Sequence, residues 1–261
     1  MKKLFSILIL ACTFTSCADP DSNFDDTEPY EPKELKLKSI SKQWNENYSM
    51  KSEDTYFYYD ENGLLSTTEN LYILKYAEER TTSNYHYTKT LLDSITTLRE
   101  YKSYTNGAPV STYRSKYYFT HNNENLITDR ESWADKDKLS HTRYFYEGGD
   151  LIRYEVYYIL SPPNKPYTTV HNVSIVNGNP IEVDKSRYAY DNYNNIYKNV
   201  YSPSYQKLMH NGVNNPISMK YNVVQEQKYT YTYNKDNFPE TRETFEVSIG
   251  EVVTTEKFSY Y

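Results

Sequence analysis

The passage Tyr56 to Thr68, reading YFYYDENGLLSTT, constrains the fold more than any other stretch. Aromatic residues precede a polar segment, Asp60-Glu61-Asn62-Gly63, and the chain leaves it through Leu64 and Leu65. Strand-like runs on either side of a short Gly/Asn/Asp segment read as two antiparallel strands and their turn. Related passages recur at His121–Asp129, Tyr146–Tyr154, Tyr190–Lys198 and Tyr233–Thr241, with Asn125, Asp150, Asn194 and Asn237 in the place of Gly63. Asn and Asp tolerate left-handed backbone better than other non-glycine residues, so the same turn is expected at each.

A second kind of turn lies between these: Asn106-Gly107 before Pro109, Asn177-Gly178 before Pro180 and Asn211-Gly212 before Pro216. Asn-Gly between alternating runs is a strong hairpin signal. Around Asn177 the expected faces are Val173 and Ile175 against Ile181 and Val183, with Ser174 and Glu182 opposite. Two turn types in alternation would place one kind at each end of a meander. Ile152, Tyr154, Val156, Tyr158 and Leu160 form one apolar face, and Phe245, Val247 and Ile249 another. Leu35 and Leu37 alternate with Lys36 and Lys38 in a first strand whose phase shifts at Ser39-Ile40, as at a bulge. Loops are expected at Ser161–Asn164 and Ser202–Asn215. Leu71–Leu98 stays open, because Leu92, Ile95 and Leu98 also fit a helix. Residues 34–261 therefore predict an all-β domain, an antiparallel up-and-down meander of long hairpins curled into a sheet or a partial or complete barrel.

Composition says what fills such a sheet. The 261 residues include 32 Tyr but only 7 Gly. A tyrosine ring is a large apolar body whose hydroxyl needs a partner, so a largely aromatic core with half-wet sheet faces is expected rather than a dry aliphatic one. The formal net charge is −6 and the lysines are spread evenly, without the basic stripe that tracks phosphates, so nucleic acid is not the expected partner.

The N-terminus carries an address. Lys2 and Lys3 precede an apolar run from Leu4 to Phe14 that is too short to cross a bilayer, so residues 1–16 read as a cleavable signal. Thr15, Ser16 and Cys17 resemble the lipobox of bacterial lipoproteins, in which the cysteine is lipidated and the signal cut before it. The position three before Cys17 is Phe14 where that family usually has Leu, and Cys12 after Ala11 is a weaker competing site. The resemblance implies attachment to the membrane through the lipid alone. Residues 17–33 are acidic and Pro-containing and read as a solvated tether. Their Asp19, Asp21, Asp25 and Asp26 resemble a scattered form of the surface-export signal of Bacteroides-type lipoproteins, which leaves outward or periplasmic display open. With Cys12 removed and Cys17 acylated, no disulfide is expected.

The recurring Tyr-x-Tyr-Asp-x-x-Gly/Asn-hydrophobic passages and the Asn237-Phe238-Pro239 turn resemble a family of Bacteroides-type lipoproteins of unknown function with a porin-like fold. The resemblance implies a meander curled into a barrel or part-barrel and transfers no catalytic residues. Ser186–Asp191 also resembles, less closely, the YD repeat of large secreted shell and toxin proteins.

Chemistry is sparse. His86, His121, His141, His171 and His210 lack the close spacing of zinc ligands, and no metal or cofactor is expected. Asp60 and Asp191 sit where a turn aspartate bonds its own backbone, and no nucleophile motif is present, so no enzyme is expected. Tyr229, Tyr231 and Tyr233 share one face and Tyr56 and Tyr58 another, as rings that pack across strands or stack on sugars. Trp44 and Trp133, both among polar residues, are the candidate ligand contacts. Lys36, Lys38, Arg153 and Glu155 oppose a lipid-facing band, so a closed barrel is expected to sit in water. The expected role is an envelope-anchored, non-catalytic module that captures a glycan or a protein. A structural accessory to an outer-membrane assembly comes second, and a polysaccharide-active enzyme third.

Overall fold

The computed structural model describes residues 34–105, 109–159, 165–221 and 225–261. Among these residues sixteen strands follow one another. The first eight are β1 (Leu37–Trp44), β2 (Met50–Tyr59), β3 (Leu65–Leu74), β4 (Ala77–Thr88), β5 (Leu91–Ser103), β6 (Ser111–His121), β7 (Ile127–Ala134) and β8 (Asp137–Glu147). The rest are β9 (Asp150–Tyr158), β10 (Tyr167–Val176), β11 (Asn179–Val183), β12 (Ser186–Tyr190), β13 (Pro216–Lys220), β14 (Glu226–Tyr233), β15 (Pro239–Glu246) and β16 (Glu251–Tyr260). Each pairs antiparallel with its sequence neighbours, and β1 also pairs with β16, Ile40 opposite Phe258, so the meander closes into a barrel without edges. One short helix, α1 (Pro203–Leu208), interrupts the strands among the described residues.

The Asp-x-x-Gly turns form as their chemistry requires. Asp60 Oδ1 accepts the N–H groups of Asn62 and Leu64 at 2.9 and 2.8 Å, and Asn122 and Asn234 do the same for Glu124 and Leu126 and for Asp236 and Phe238. Gly63, Asn125 and Asn237 hold φ of 75°, 63° and 62°. Asp150 does not take that place: Gly148 and Gly149 carry the positive φ, and Asp150 already pairs with Glu147 in the sheet. Asn177-Gly178 turns as expected, with φ of 51° and 74° between paired Val176 and Asn179. Asn211-Gly212 makes no hairpin, and Asn106-Gly107 lies outside the described residues. The expected segregation of turn types by barrel end does not hold either, because Asn177-Gly178 lies at the same end as the Asp60, Asn122 and Asn234 turns.

Bulges re-phase the returning strands. Ser66, Asp93, Thr128, Ile152 and Glu240 are each left without a pairing partner one or two residues after a turn. The shift sets Leu65, Leu92, Ile127 and Leu151 on the inner face, all wholly buried. It also explains the helix-like spacing in Leu71–Leu98, which is entirely strands and their connections: Leu92 and Ile95 both point inward across the bulge, while Leu98 pairs with Arg114 on the outer face. Ile152 and Ile181 leave the faces expected for them in the same way, and both are exposed. The β15 face ends early, because the strand stops at Glu246 and Val247 and Ile249 lie exposed in the following turn. Leu160 and Ser161–Asn164 lie outside the described residues.

Tyrosine then stitches this layer together. Tyr59, Tyr146, Tyr190 and Tyr260 donate their hydroxyls to the carbonyls of Leu37, Ile127, Pro180 and Pro239, each on the preceding strand, at 2.7–2.9 Å. A ring and a bonded hydroxyl at each site satisfy a main-chain acceptor inside an apolar layer. The deepest layer is nevertheless aliphatic, with tyrosines packed around it, rather than aromatic throughout.

Between β12 and β13 the turn motif is opened by an insertion. Asp191 Oδ1 accepts the N–H groups of Tyr193 and Asn215 at 3.0 and 3.1 Å, and Asp191 N–H bonds Asn215 O at 3.0 Å, as Asp60 does with Asn62 and Leu64. Asn194 therefore sits at the mouth of an insertion and not in a tight turn. Residues 194–214 run into the barrel, where Ile196 and Val200 join Leu37, Phe57, Leu65 and Phe258, and Tyr205 and Leu208 pack on Leu92, Ile95, Phe119, Ile127 and Leu151. The stretch expected to be a loop thus contains α1, started by Pro203 and buried through the rings it carries.

The outer wall is polar. The phase facing away from the core carries Asp54, Glu69, Arg80, Glu100, Arg114, Glu131, Arg143 and Glu155, a charge on every strand from β2 to β9. A charge facing lipid near the bilayer midplane costs about 2–4 kcal/mol for Arg or Lys. Strands β11, β12 and β13 have 5 residues each, where a membrane crossing takes about 9–11.

Candidate functional site

The insertion fills the end of the barrel where the chain enters at β1. The inner face beyond it toward the other end is polar and ionisable. Sheet pairing sets Arg242 on β15, Glu256 on β16, Lys42 on β1 and Glu53 on β2 directly beside one another, in alternating sign. Arg242 Nη2 lies 2.5 Å from Glu256 Oε2, and Lys42 Nζ lies 3.3 Å from Glu256 Oε1. The Glu256 side chain is only 3% exposed, so its charge depends on these two cations. Burial opposes the charge on Arg242, but Glu256 and the Tyr231 hydroxyl outweigh it and raise its pKa. Burial also raises the Glu53 carboxyl, against a hydrogen bond from Tyr72, and pushes Tyr72, Tyr197 and Tyr231 up to about 12. Further round the row, Arg99 reaches Glu79 at 3.2 Å with its side chain 55% exposed, which marks the lumen as open to water at this end.

Two cavities flank this row. One, of about 310 Å³, is walled by Thr55, Asn70, Ser83, Tyr85 and Tyr201; the other, of about 290 Å³, by Tyr188, Asn195, His210, Asn211 and Asn215. Tyr197 and Arg242 line both. The buried Arg242 Nε has no hydrogen-bond partner within the protein.

Beside the second cavity the structure gathers two of the scattered histidines. His171 stacks on Tyr154 with centroids 4.5 Å apart, and its Nδ1 lies 2.7 Å from Asp184 Oδ2. His210, from the insertion, also packs on Tyr154, with ring centroids 5.6 Å apart and its Nδ1 unpartnered. Burial lowers the His210 pKa below 6.5, against the attraction of Asp184 and with the repulsion of His171. Burial opposes the Asp184 charge as well, but the His171 contact and the Asn172 N–H hold that carboxyl below its usual range. A depressed folded-state pKa means the unfolded chain takes up the proton first, so stability falls as pH drops below 6.5 toward the folded value. His121, lowered by burial, adds to the same slope. His210→Asn, which suits the φ of 53° at this position, is expected to flatten the decline in melting temperature between pH 7 and 5; an unchanged slope would show that His210 does not titrate there.

The residues singled out in the sequence are not brought together. Trp44 is on the inner phase with Lys42 Nζ 4.6 Å from its ring, and Trp133 is on the outer phase with Nε1 bonded to Glu131 at 3.2 Å. Tyr229, Tyr231 and Tyr233 do share the inner face, and Tyr56 and Tyr58 the outer one. Asp60 and Asp191 are turn residues by their bonds. Cys17 lies outside the described residues, and no group of three or more His, Cys, Asp or Glu able to hold a metal occurs among them. Sequence reasoning missed Arg242, Glu256, Lys42 and Glu53. Their signal is a charge in the phase of neighbouring apolar residues, as Lys42 is with Ile40 and Trp44.

No family model matches the chain, and no curated protein matches it. Among solved structures it is similar to a porin-like protein from Bacteroides uniformis, with a TM-score of 0.40 and 10% identity over 89% of this chain and 99% of that one. It is also similar to a porin-like protein from Bacteroides vulgatus, with a TM-score of 0.43 and 11% identity over 87% of this chain and 99% of the other. The barrel described above rests on this chain's own strand pairing.

Proposed function

We propose that this protein is a lipid-anchored, non-catalytic barrel of the bacterial envelope that captures a ligand in its lumen. The observation that carries this reading is the asymmetry of the lumen: filled by residues 194–214 at the end where β1 begins, polar and open at the other. The charged outer wall supports contact with the membrane through the lipid alone. The capture reading also rests on the make-up of the lumen, where the ionisable groups pair with one another in place of a nucleophile and its base.

A role as structural accessory to an outer-membrane assembly is the second reading. It is favoured by an outer-wall depression of about 480 Å³ lined by Lys116, Tyr118, Glu131 and Trp133, a place for a protein partner to seat.

Metabolic labelling with radioactive palmitate tests the anchor. Label is expected on the wild-type protein and absent from Cys17→Ala, which should be released to the soluble envelope fraction. Label retained by Cys17→Ala would contradict lipidation at this residue.

A further inference from the structure

We propose that the lumen binds a neutral, hydroxyl-rich ligand, a short uncharged oligosaccharide, at Arg242 between the two cavities. This deepens the capture reading and rests on it.

Charge is the first argument. Arg242, Glu256, Lys42 and Glu53 alternate along one row, so the stretch of lumen that the two cavities share offers no surplus of either sign to hold an ionic ligand. An anion beside Arg242 would face Glu256 and Glu53, and a cation beside Glu256 would face Arg242 and Lys42. A neutral ligand with adjacent hydroxyls meets neither repulsion, since each hydroxyl donates to a carboxylate and accepts from a guanidinium.

The second argument is the unmatched donor. Arg242 Nε is buried without a partner although the guanidinium lines both cavities. A buried donor left unpaired costs about 1–3 kcal/mol, and a ligand hydroxyl would satisfy it. The third argument is the walls. Tyr197 lines both cavities; Tyr85 and Tyr201 line one, and Tyr188 and Tyr231 the other. Sugar rings place C–H faces on such aromatic faces while their hydroxyls reach Thr55, Asn70, Ser83 and Asn195. Cavities of about 290 and 310 Å³ are at the lower end of the range for small-molecule sites, which fits a short chain and not a polymer.

Titration calorimetry of the full-length protein against maltotriose, cellotriose, xylotriose and mannotriose, with trigalacturonate as the acidic counterpart, tests the assignment. Saturable binding of at least one neutral trisaccharide is expected, with affinity reduced at least tenfold in Arg242→Lys, which keeps the charge but loses the fork. Thr55→Trp, which fills the larger cavity and leaves every residue of the ion-paired row unchanged, should abolish it. Overturning results are no neutral trisaccharide bound, binding of trigalacturonate alone, or binding indifferent to both substitutions. Thr55→Cys, combined with Cys12→Ser and Cys17→Ser, separates two failures. Labelling by a small maleimide without sugar binding would leave the lumen open but the ligand class wrong, whereas no labelling would remove the capture reading as well.

Discussion

Tyr205→Ala is expected to lower the stability of the barrel by about 3–5 kcal/mol, the usual cost of emptying a large aromatic site. The ring comes from the insertion, yet it stands edge-on to Phe119 of β6 at 5.6 Å and to Tyr85 of β4 at 6.4 Å, and touches Tyr201 at 5.4 Å. It also closes over Leu92, Ile127 and Leu151, which no strand covers from the lumen side. Removing it leaves a cavity that a closed barrel cannot collapse to fill. The loss should show as a lower urea midpoint at unchanged slope. Tyr118→Ala, from a ring 43% exposed on the outer wall, should cost well under half as much. Equal and small effects at both positions would mean that the insertion is not part of the core.

Arg242→Met carries the second large effect, again about 3–5 kcal/mol, because it strands the buried Glu256 with Lys42 as its remaining cation. The variant should also acquire a characteristic pH dependence. A buried carboxyl that loses one of its two cations is harder to ionise, so the folded state of the variant binds the proton more readily. Stability is then retained at acid pH and lost as pH rises through the raised pKa. Arg242→Met combined with Glu256→Met should recover most of the loss, since matched apolar replacement of a buried pair is often neutral. Failure of the double variant to recover would assign the damage to lost packing on Tyr229 and Tyr231 instead.

Much of this architecture can be read from the sequence, and the limits have a physical cause. Asp60, Asn122 and Asn234 each bond their own turn, so the hairpins are written locally and the passages that carry them repeat visibly. Bulges are not written that way. Ser66, Asp93, Thr128 and Ile152 differ in chemistry, and each shifts the phase by one residue, so a face read by strict alternation fails at Ile152 and mimics a helix at Leu92 and Ile95. Closure is a contact between Leu37–Trp44 and Glu251–Tyr260 at opposite ends of the sequence, and no local pattern announces it. The insertion keeps the Asp191 turn bond across residues 194–214, so a familiar opening conceals a segment that folds inward. The lumenal row was hidden for the same reason as closure: Arg242, Glu256, Lys42 and Glu53 become neighbours only after β16 meets β1.

Hydrogen exchange followed by mass spectrometry on the protein in detergent-free buffer tests the central claim most directly, that a chain-spanning barrel closes in water around its own insertion. Slow exchange is expected together in Leu37–Trp44, in Glu251–Tyr260 and in the peptides spanning Ile196 to Leu208, whose N–H groups at Ile196 and Tyr197 bond Asn215 and Asn195 inside the lumen. Exchange at the unprotected rate in the insertion or in the first and last strands, while the remaining hairpins stay protected, would contradict it.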